Sequence, residues 1–186
     1  MYATQQLRDE HEGIKVVLSV LEHLATQQER GQAVNTGHLD EIVDFLRTFA
    51  DKCHHGKEED LLFPALAQAG IPVEGGPIGM MLQEHTLGRG YIQGMVDALA
   101  QMKAGRDAGS EFARNALGYV ELLRSHIEKE NQVLFAIAEH HLPEAEHVRL
   151  AAGFDQVEQE RIGPGVHERY HEMIHALRDA YLAGVA

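Results

Sequence analysis

The sequence predicts an all-α protein, namely an antiparallel up-down-up-down four-helix bundle followed by a C-terminal helical hairpin. Apolar residues recur at three- and four-residue steps over long segments, and no segment alternates with period two over a useful length. Short stretches containing Gly or Pro separate these segments at about residues 30–37, 70–79, 104–110, 141–146 and 163–165. Connections this short favour antiparallel packing of neighbouring helices.

The individual helices follow from this division. The sequence predicts four long helices at about 4–29, 38–69, 79–104 and 108–141, and two shorter ones at about 143–161 and 166–183. Pro143 stands where the fifth helix is expected to begin, a position that proline favours. We therefore expect a bundle domain at 1–141 and a C-terminal extension at 142–186 that packs on the bundle.

Composition and charge limit the kinds of partner. The 186 residues include 16 Lys plus Arg against 29 Asp plus Glu, a formal net charge of −13. Such an acidic chain is a poor ligand for nucleic acid or an anionic membrane. No apolar run reaches the roughly 18 residues of a membrane span, and the first residues lack a signal-peptide pattern. The single cysteine, Cys53, excludes an internal disulfide and favours a reducing compartment, so we expect a cytoplasmic protein.

Histidine is the unusual residue of this sequence, with thirteen copies. Each long helix places one on its predicted inner face, and two helices add a glutamate four residues later: His11, His55 with Glu59, His85, and His126 with Glu130. Buried ionisable groups without partners cost several kcal/mol. The pattern therefore indicates either a hydrogen-bonded polar layer or a metal site.

The spacing favours the metal site. Residues four apart lie about 6 Å from each other along one face of an α-helix, so a His-x-x-x-Glu module can reach one ion or two adjacent ions. Four imidazoles and two carboxylates are too many ligands for one tetrahedral zinc. They suit two ions roughly 3.5–4 Å apart with bridging carboxylates. Mixed nitrogen and oxygen ligation suits iron or manganese better than a metal that prefers thiolates.

The segments DEHEG, HHGKEEDLLFP, LQEHTLGRG and SHIEKENQVLF, in this order, resemble those of the haemerythrin-like, or HHE cation-binding, proteins. The resemblance covers roughly residues 1–141. It implies a four-helix bundle around two non-haem iron ions, which can be oxo- or hydroxo-bridged. Zinc or manganese can occupy the same set of ligands as substitutes. The ligands that it implies are His11, His55, Glu59, His85, His126 and Glu130, with Glu59 and Glu130 as the bridges. It also implies a small ligand as partner, such as oxygen, peroxide, nitric oxide or azide.

The sequence departs from the oxygen-carrying haemerythrins at two places. Those proteins have a second histidine four residues after the first on the third helix, where this chain has Arg89. Their fourth helix carries an aspartate five residues after its histidine, where this chain has Glu130 at four. A count of four imidazoles predicts an open coordination position or an additional ligand. The candidates for an additional or supporting role are Glu58, with His54 beside it, Arg89, His167 and Tyr170.

Several functions stay open at this level. The protein can bind or sense a small ligand, handle iron or reactive species, or consume peroxide or nitric oxide as an enzyme. It can also be a metal-dependent regulatory module that engages a partner through its hairpin. A ferritin-like di-metal oxidase or iron-storage unit is a further alternative, because such proteins use Glu-x-x-His modules. In this chain two pairs of that pattern overlap on one predicted helix of the tail, Glu168 with His171 and Glu172 with His175.

Overall fold

The computed structural model describes residues 2–183, and this part of the chain contains helices and no strand. We number six helices in chain order: α1 (Ala3–Glu29), α2 (36–68), α3 (Pro77–Lys103), α4 (109–141), α5 (Glu144–Arg161) and α6 (Val166–Tyr181). The prediction of an all-α fold is confirmed. Each predicted helix end lies within two residues of the observed one.

Two of the helices are continuous but change their winding along their length. Helix α2 consists of Thr36–Phe45, the π-helical stretches Leu46–His55 and Glu58–Leu62 with α-helical residues 56–57 between them, and Phe63–Gln68. Helix α4 consists of Gly109–Lys129, the π-helical stretch Glu130–Leu134, and Phe135–His141. A π-helical hydrogen bond spans one residue more than an α-helical one. The residues that face the bundle interior therefore no longer follow a regular 3.6-residue repeat.

The turns between the bundle helices are short and use glycine where the backbone is left-handed. Gly31, Gly70 and Gly105 have φ angles of 70°, 92° and 77°, a region that side chains with a Cβ rarely adopt. Each follows the end of a helix, which is the usual place for such a residue. At the start of α2, the side chain of Asn35 accepts a hydrogen bond from the Gly37 amide at 2.9 Å and caps the helix.

The interior of the bundle has three layers along its length. One apolar cluster joins the start of α1, the end of α2, the start of α3 and the end of α4. A larger apolar cluster joins the remaining halves of the same helices. Because starts pack with ends, consecutive helices run antiparallel. A layer of buried polar side chains separates the two clusters: His11, His54, His55, Glu58, His85, His126 and Glu130.

The C-terminal hairpin, α5 and α6, packs along one side of the bundle. Helix α5 contacts α1 and both π-helical stretches of α2, and α6 contacts α1 and the first part of α2. Leu150 and Phe154 of α5 belong to the smaller apolar cluster, and Tyr170 and Leu177 of α6 belong to the larger one. The hairpin therefore spans the level of the polar layer. Across residues 2–183 we find no helix with the length and apolarity that crossing a membrane requires.

Candidate metal centre

The polar layer contains two groups of side chains whose nitrogen and oxygen atoms converge. We call them the three-histidine group (His55, Glu58, His85 and His126) and the two-histidine group (His11, His54, Glu58 and Glu130). Within each group the converging atoms all lie within 4.8 Å of one another. Glu58 belongs to both groups, so the two are adjacent.

The two glutamates connect the groups. Glu58 places Oε2 3.4 Å from His85 Nε2 and Oε1 3.7 Å from His54 Nε2. Glu130 places Oε1 3.2 Å from His126 Nε2 and Oε2 3.3 Å from His11 Nε2. Each carboxylate thus directs one oxygen towards each group, which is the arrangement of a carboxylate that bridges two neighbouring metal ions.

The glutamate oxygens are buried without hydrogen-bond partners. Glu58 and Glu130 are both 0% exposed, and none of their four carboxylate oxygens has a hydrogen-bond partner among the described residues. Buried charges without compensating partners cost several kcal/mol, and proteins keep them where they pair or coordinate a metal. These oxygens therefore fit a site for cations.

The histidine nitrogens support the same interpretation. His11 Nε2 lies 3.0 Å from His54 Nε2, and His85 Nε2 lies 3.2 Å from His126 Nε2. Two neutral imidazoles whose unprotonated nitrogens face each other at this distance repel. A proton or a metal ion between or beside them removes the repulsion, and neutral imidazole is the form that ligates metals.

The other ring nitrogen of every histidine in the layer has an oxygen acceptor. The Nδ1 partners are Asn131 for His11 (2.9 Å), Glu10 for His54 (2.7 Å), Asp51 for His55 (3.4 Å), Glu59 for His85 (2.7 Å) and Glu84 for His126 (2.9 Å). A histidine that donates its Nδ1–H in this way has its tautomer and ring orientation fixed. All five rings are therefore oriented with Nε2 towards the interior of the layer.

Protons and metal ions compete for these groups. Burial alone would lower the pKa of His126, but Glu130, together with Glu84, raises this pKa to about 10. Burial lowers the pKa of His55 well below its ordinary value, and the neighbouring His85 and His126 lower it further. Without a metal, the layer thus holds some of its imidazoles protonated as counterions for the glutamates. Metal binding must displace these protons.

Five of the six side chains predicted as ligands meet in this layer: His11, His55, His85, His126 and Glu130. The sixth, Glu59, lies outside both groups, with its side chain 25% exposed. Its Oε1 accepts hydrogen bonds from His85 Nδ1 and from Arg89 Nη2, each at 2.7 Å. The structure therefore corrects the expected position of this residue, because Glu58 connects the two groups and Glu59 contacts His85 from outside them.

The winding of α2 explains the correction. The sequence HHGKEE contains the His-x-x-x-Glu spacing twice, as His54 with Glu58 and as His55 with Glu59. In the π-helical stretches of α2, both histidines and the first glutamate face the interior. Helix α4 keeps its α-helical winding up to Lys129, so its His-x-x-x-Glu module lies as predicted. The doubled histidine made His54 and Glu58 candidates for an additional role, but a regular helical face favoured His55 and Glu59 as the ligands.

The count of four imidazoles is also corrected, because His54, one of the candidates for an additional role, is a fifth histidine in the layer. Arg89 is 42% exposed and pairs with Asp51 at 2.8 Å and with Glu59, outside the layer.

The two candidate residues of the C-terminal hairpin, Tyr170 and His167, do not reach the polar layer either. Tyr170 donates its hydroxyl proton to Asp44 at 2.9 Å, and His167 Nδ1 lies 3.0 Å from Glu158. Both line a cavity of about 610 Å³ between α1 and the hairpin.

Comparison with known families agrees with this geometry. The family model described as Hemerythrin HHE cation binding domain matches residues 2–138. The chain belongs to the hemerythrin HHE family. The match covers the four bundle helices almost completely and ends before α5, so the hairpin is an addition to the part that the family model describes. Searches of curated proteins and of solved structures gave no match. Family membership and the buried His/Glu groups together support a helical protein that binds cations.

Proposed function

We propose that this HHE protein holds two non-haem iron ions in its polar layer and binds a small ligand there, such as oxygen, peroxide, nitric oxide or azide. The observation that carries the proposal is the pair of adjacent histidine groups joined by two carboxylates whose oxygens have no other partner. Iron at this position would supply a redox-active centre to which a small molecule can coordinate.

The donor atoms favour iron over the alternatives. The three-histidine group offers three imidazoles and one oxygen from each glutamate, and the two-histidine group offers two imidazoles and two such oxygens. Nine donor atoms exceed the eight that two tetrahedral zinc ions would use. The mixture of nitrogen and oxygen suits iron or manganese. Cys53 belongs to neither group, and burial raises the pKa of its thiol to about 12.

The unequal groups indicate where the small ligand binds. An ion with six coordination positions keeps more of them free in the two-histidine group, which offers fewer protein donors. Phe135 stacks on His11 with ring centroids 5.6 Å apart, and Phe63 stacks on His85 at 5.8 Å. These rings and the apolar clusters on both sides limit the access of water. A small, weakly polar ligand therefore suits the space better than a large polar substrate.

Metal analysis and optical spectroscopy of protein purified without chelators test the proposal. We expect about two irons per chain, and azide should change the spectrum of the ferric protein. His55→Ala or Glu130→Ala should lower the affinity for iron by at least 10–100-fold, and less iron should therefore stay bound. His140→Ala is a matched control, because His140 is an exposed histidine of α4 outside both groups. Variants of the layer that bind iron and azide like the wild type would contradict the proposal.

Turnover assays separate the functions that the same centre allows. Consumption of peroxide or nitric oxide over many cycles would indicate an enzyme, whereas a stable one-to-one complex would indicate carriage or sensing. The ferritin-like alternative receives no support from the described residues. The Glu-x-x-His pairs of the chain lie on α5 and α6, outside both groups. A cytoplasmic location is part of the proposal, since a single cysteine cannot form an internal disulfide and suits a reducing compartment.

A further inference from the structure

A buried lysine connects the C-terminal hairpin to the polar layer. Lys57 of α2 is 0% exposed, although lysine is among the residues least often buried. Its ammonium group contacts Glu10 Oε1 of α1 at 2.5 Å and Glu158 Oε2 of α5 at 3.2 Å. The two carboxylates compensate one buried positive charge, and one of them comes from outside the family match.

The chain of contacts continues inward from the lysine. The second oxygen of Glu10, Oε2, accepts the Nδ1–H of His54 at 2.7 Å. His54 in turn directs Nε2 to the two-histidine group. Glu158 therefore reaches a candidate metal ligand through two buried side chains, Lys57 and Glu10. Without Glu158, Glu10 is the one carboxylate left beside the Lys57 ammonium group, and it must compensate this charge alone.

His54 is the one histidine of the layer whose support extends to the hairpin through contacts of the described residues. The Nδ1 partners of the other four are Asn131, Asp51, Glu59 and Glu84. These four residues all belong to the bundle helices α2, α3 and α4, within the range of the family match. A change at Glu158 should thus affect the two-histidine group and leave the three-histidine group unchanged.

The docking of α5 at this place is specific. Arg161 crosses α2 at Gly56, where its guanidinium occupies the position that a Cβ at residue 56 would take. The guanidinium donates to the backbone oxygen of Lys52 at 2.9 Å and also contacts Asp60. These contacts lie on either side of Lys57 in the sequence. They hold α5 against the part of α2 that carries His54, His55 and Glu58.

We propose that Glu158 is a positioning residue for the two-histidine group, acting through Lys57 and Glu10 on the imidazole of His54. Docking of the C-terminal hairpin then sets the affinity of one of the two metal positions. The inference rests on the proposed function, because it requires that the layer binds two ions.

Titration of the metal-free full-length protein with Co²⁺, followed by visible absorbance and proton NMR, tests the inference. The variants are Glu158→Ala and Glu158→Gln, with Glu160→Ala as control. Glu160 is an exposed residue of the same helix whose side chain contacts Gln156. In the wild type we expect two ions and shifted, exchangeable Nδ1–H signals from the ligand histidines.

Glu158→Ala should lower the affinity for one ion about 10–100-fold, which is the usual effect of losing a residue that supports a ligand. The affinity for the other ion should stay within about threefold of the wild-type value. One Nδ1–H signal should exchange faster while the others stay unchanged. Glu158→Gln should lie between alanine and wild type, since its amide oxygen still accepts a hydrogen bond from the ammonium group. Glu160→Ala should bind both ions like the wild type.

Two results would overturn the inference. Equal weakening of both ions, with a lower melting temperature of the metal-free protein, would show that Glu158 acts only on global stability. Unchanged binding of both ions in Glu158→Ala would show that the contact chain does not act on His54. Failure of the proposed function is a different outcome, in which the wild type does not bind two ions in the first place.

A double-mutant cycle adds a second measurement. If the effect passes through the lysine, Lys57→Met should make the binding of the weaker ion insensitive to Glu158→Ala, because no ammonium group remains to be compensated. Fully additive effects of the two changes on the affinity of this ion would count against the proposed route.

Discussion

Replacement of Glu58 by glutamine tests the composition of the centre most directly. Glu58 is fully buried and shared by both groups. Glutamine keeps one of the two oxygens and no negative charge, so one ion loses a donor and both ions lose the charge that the carboxylate shares between them. We expect at least a 100-fold loss of affinity at both positions, a cost of about 2.7 kcal/mol for each ion. Glu59→Gln is the matched comparison. Its carboxylate contacts His85 alone among the five layer histidines, so it should affect one ion by about 10–100-fold.

These losses translate into melting temperatures. A ligand present at 1,000 times its dissociation constant stabilises the folded state by about 4.1 kcal/mol per site. With a metal excess of that order, Glu58→Gln should remove roughly 5 kcal/mol of metal-dependent stabilisation from the two sites. For a chain of this length, that corresponds to a decrease in melting temperature of roughly 10–20 °C. Glu59→Gln should lower it by roughly 3–10 °C.

The assay is differential scanning fluorimetry of each variant with Fe²⁺ or Co²⁺ under anaerobic conditions and with a chelator, together with metal analysis. The quantity that matters is the difference between the loaded and the metal-free melting temperatures of the same variant. This difference cancels any effect of the substitution on the metal-free fold. The reasoning is refuted if Glu58→Gln keeps two tightly bound ions while Glu59→Gln loses both.

Three further predictions concern protons, Arg89 and an unpaired hydroxyl. The metal-free protein should lose stability as the pH rises from about 6.5 towards 10. The pKa of His126 is raised to about 10 in the folded state, so protonated His126 stabilises the fold fully below pH 6.5, and this contribution is lost as the pH rises to about 10. Urea unfolding that shows increasing stability over this pH range would contradict the prediction. Arg89→Ala should change the free energy of unfolding by less than about 1 kcal/mol and leave both ions bound, because the ion pairs of Arg89 are partly exposed. Metal analysis that finds fewer than two ions in this variant would show that Arg89 supports the centre. Tyr119→Phe should leave the free energy of unfolding unchanged or raise it by up to about 1–2 kcal/mol, because the buried hydroxyl has no hydrogen-bond partner within residues 2–183. Chemical denaturation that shows a free energy of unfolding lowered by more than about 1 kcal/mol would refute this prediction.

The helices were predictable because their signals are local. Apolar periodicity, Gly31, Gly70 and Gly105, and the prolines at the turns act within a few residues, and they fixed each helix end within two positions. Five of the seven layer side chains were predicted from the same periodicity. Three of them, His11, His85 and His126, lie in regular α-helix, and the other two, His55 and Glu130, lie at an end of a π-helical stretch.

His54 and Glu58 could not be separated from their neighbours in this way. The two overlapping His-x-x-x-Glu modules of HHGKEE have the same spacing, and the winding of α2 decides which residues face inward. The burial of Lys57 was equally hidden. Its second carboxylate partner, Glu158, lies 101 residues further along the chain, so no local pattern signals the contact.

The polar layer between the two apolar clusters has a consequence for the cooperativity of unfolding. In the metal-free protein the layer lacks apolar packing and relies on protonated imidazoles to offset its buried carboxylates, so it joins the two clusters less firmly than the apolar contacts hold each cluster together. Regions with few favourable contacts between them open as separate cooperative units. Native-state hydrogen exchange should therefore resolve two foldons in the metal-free bundle, with the end that contains Phe135 and Leu66 opening apart from the end that contains Phe112. Two bound ions would join the four helices at mid-height and merge the foldons into a single unit, so that the metal acts as the link between two half-bundles.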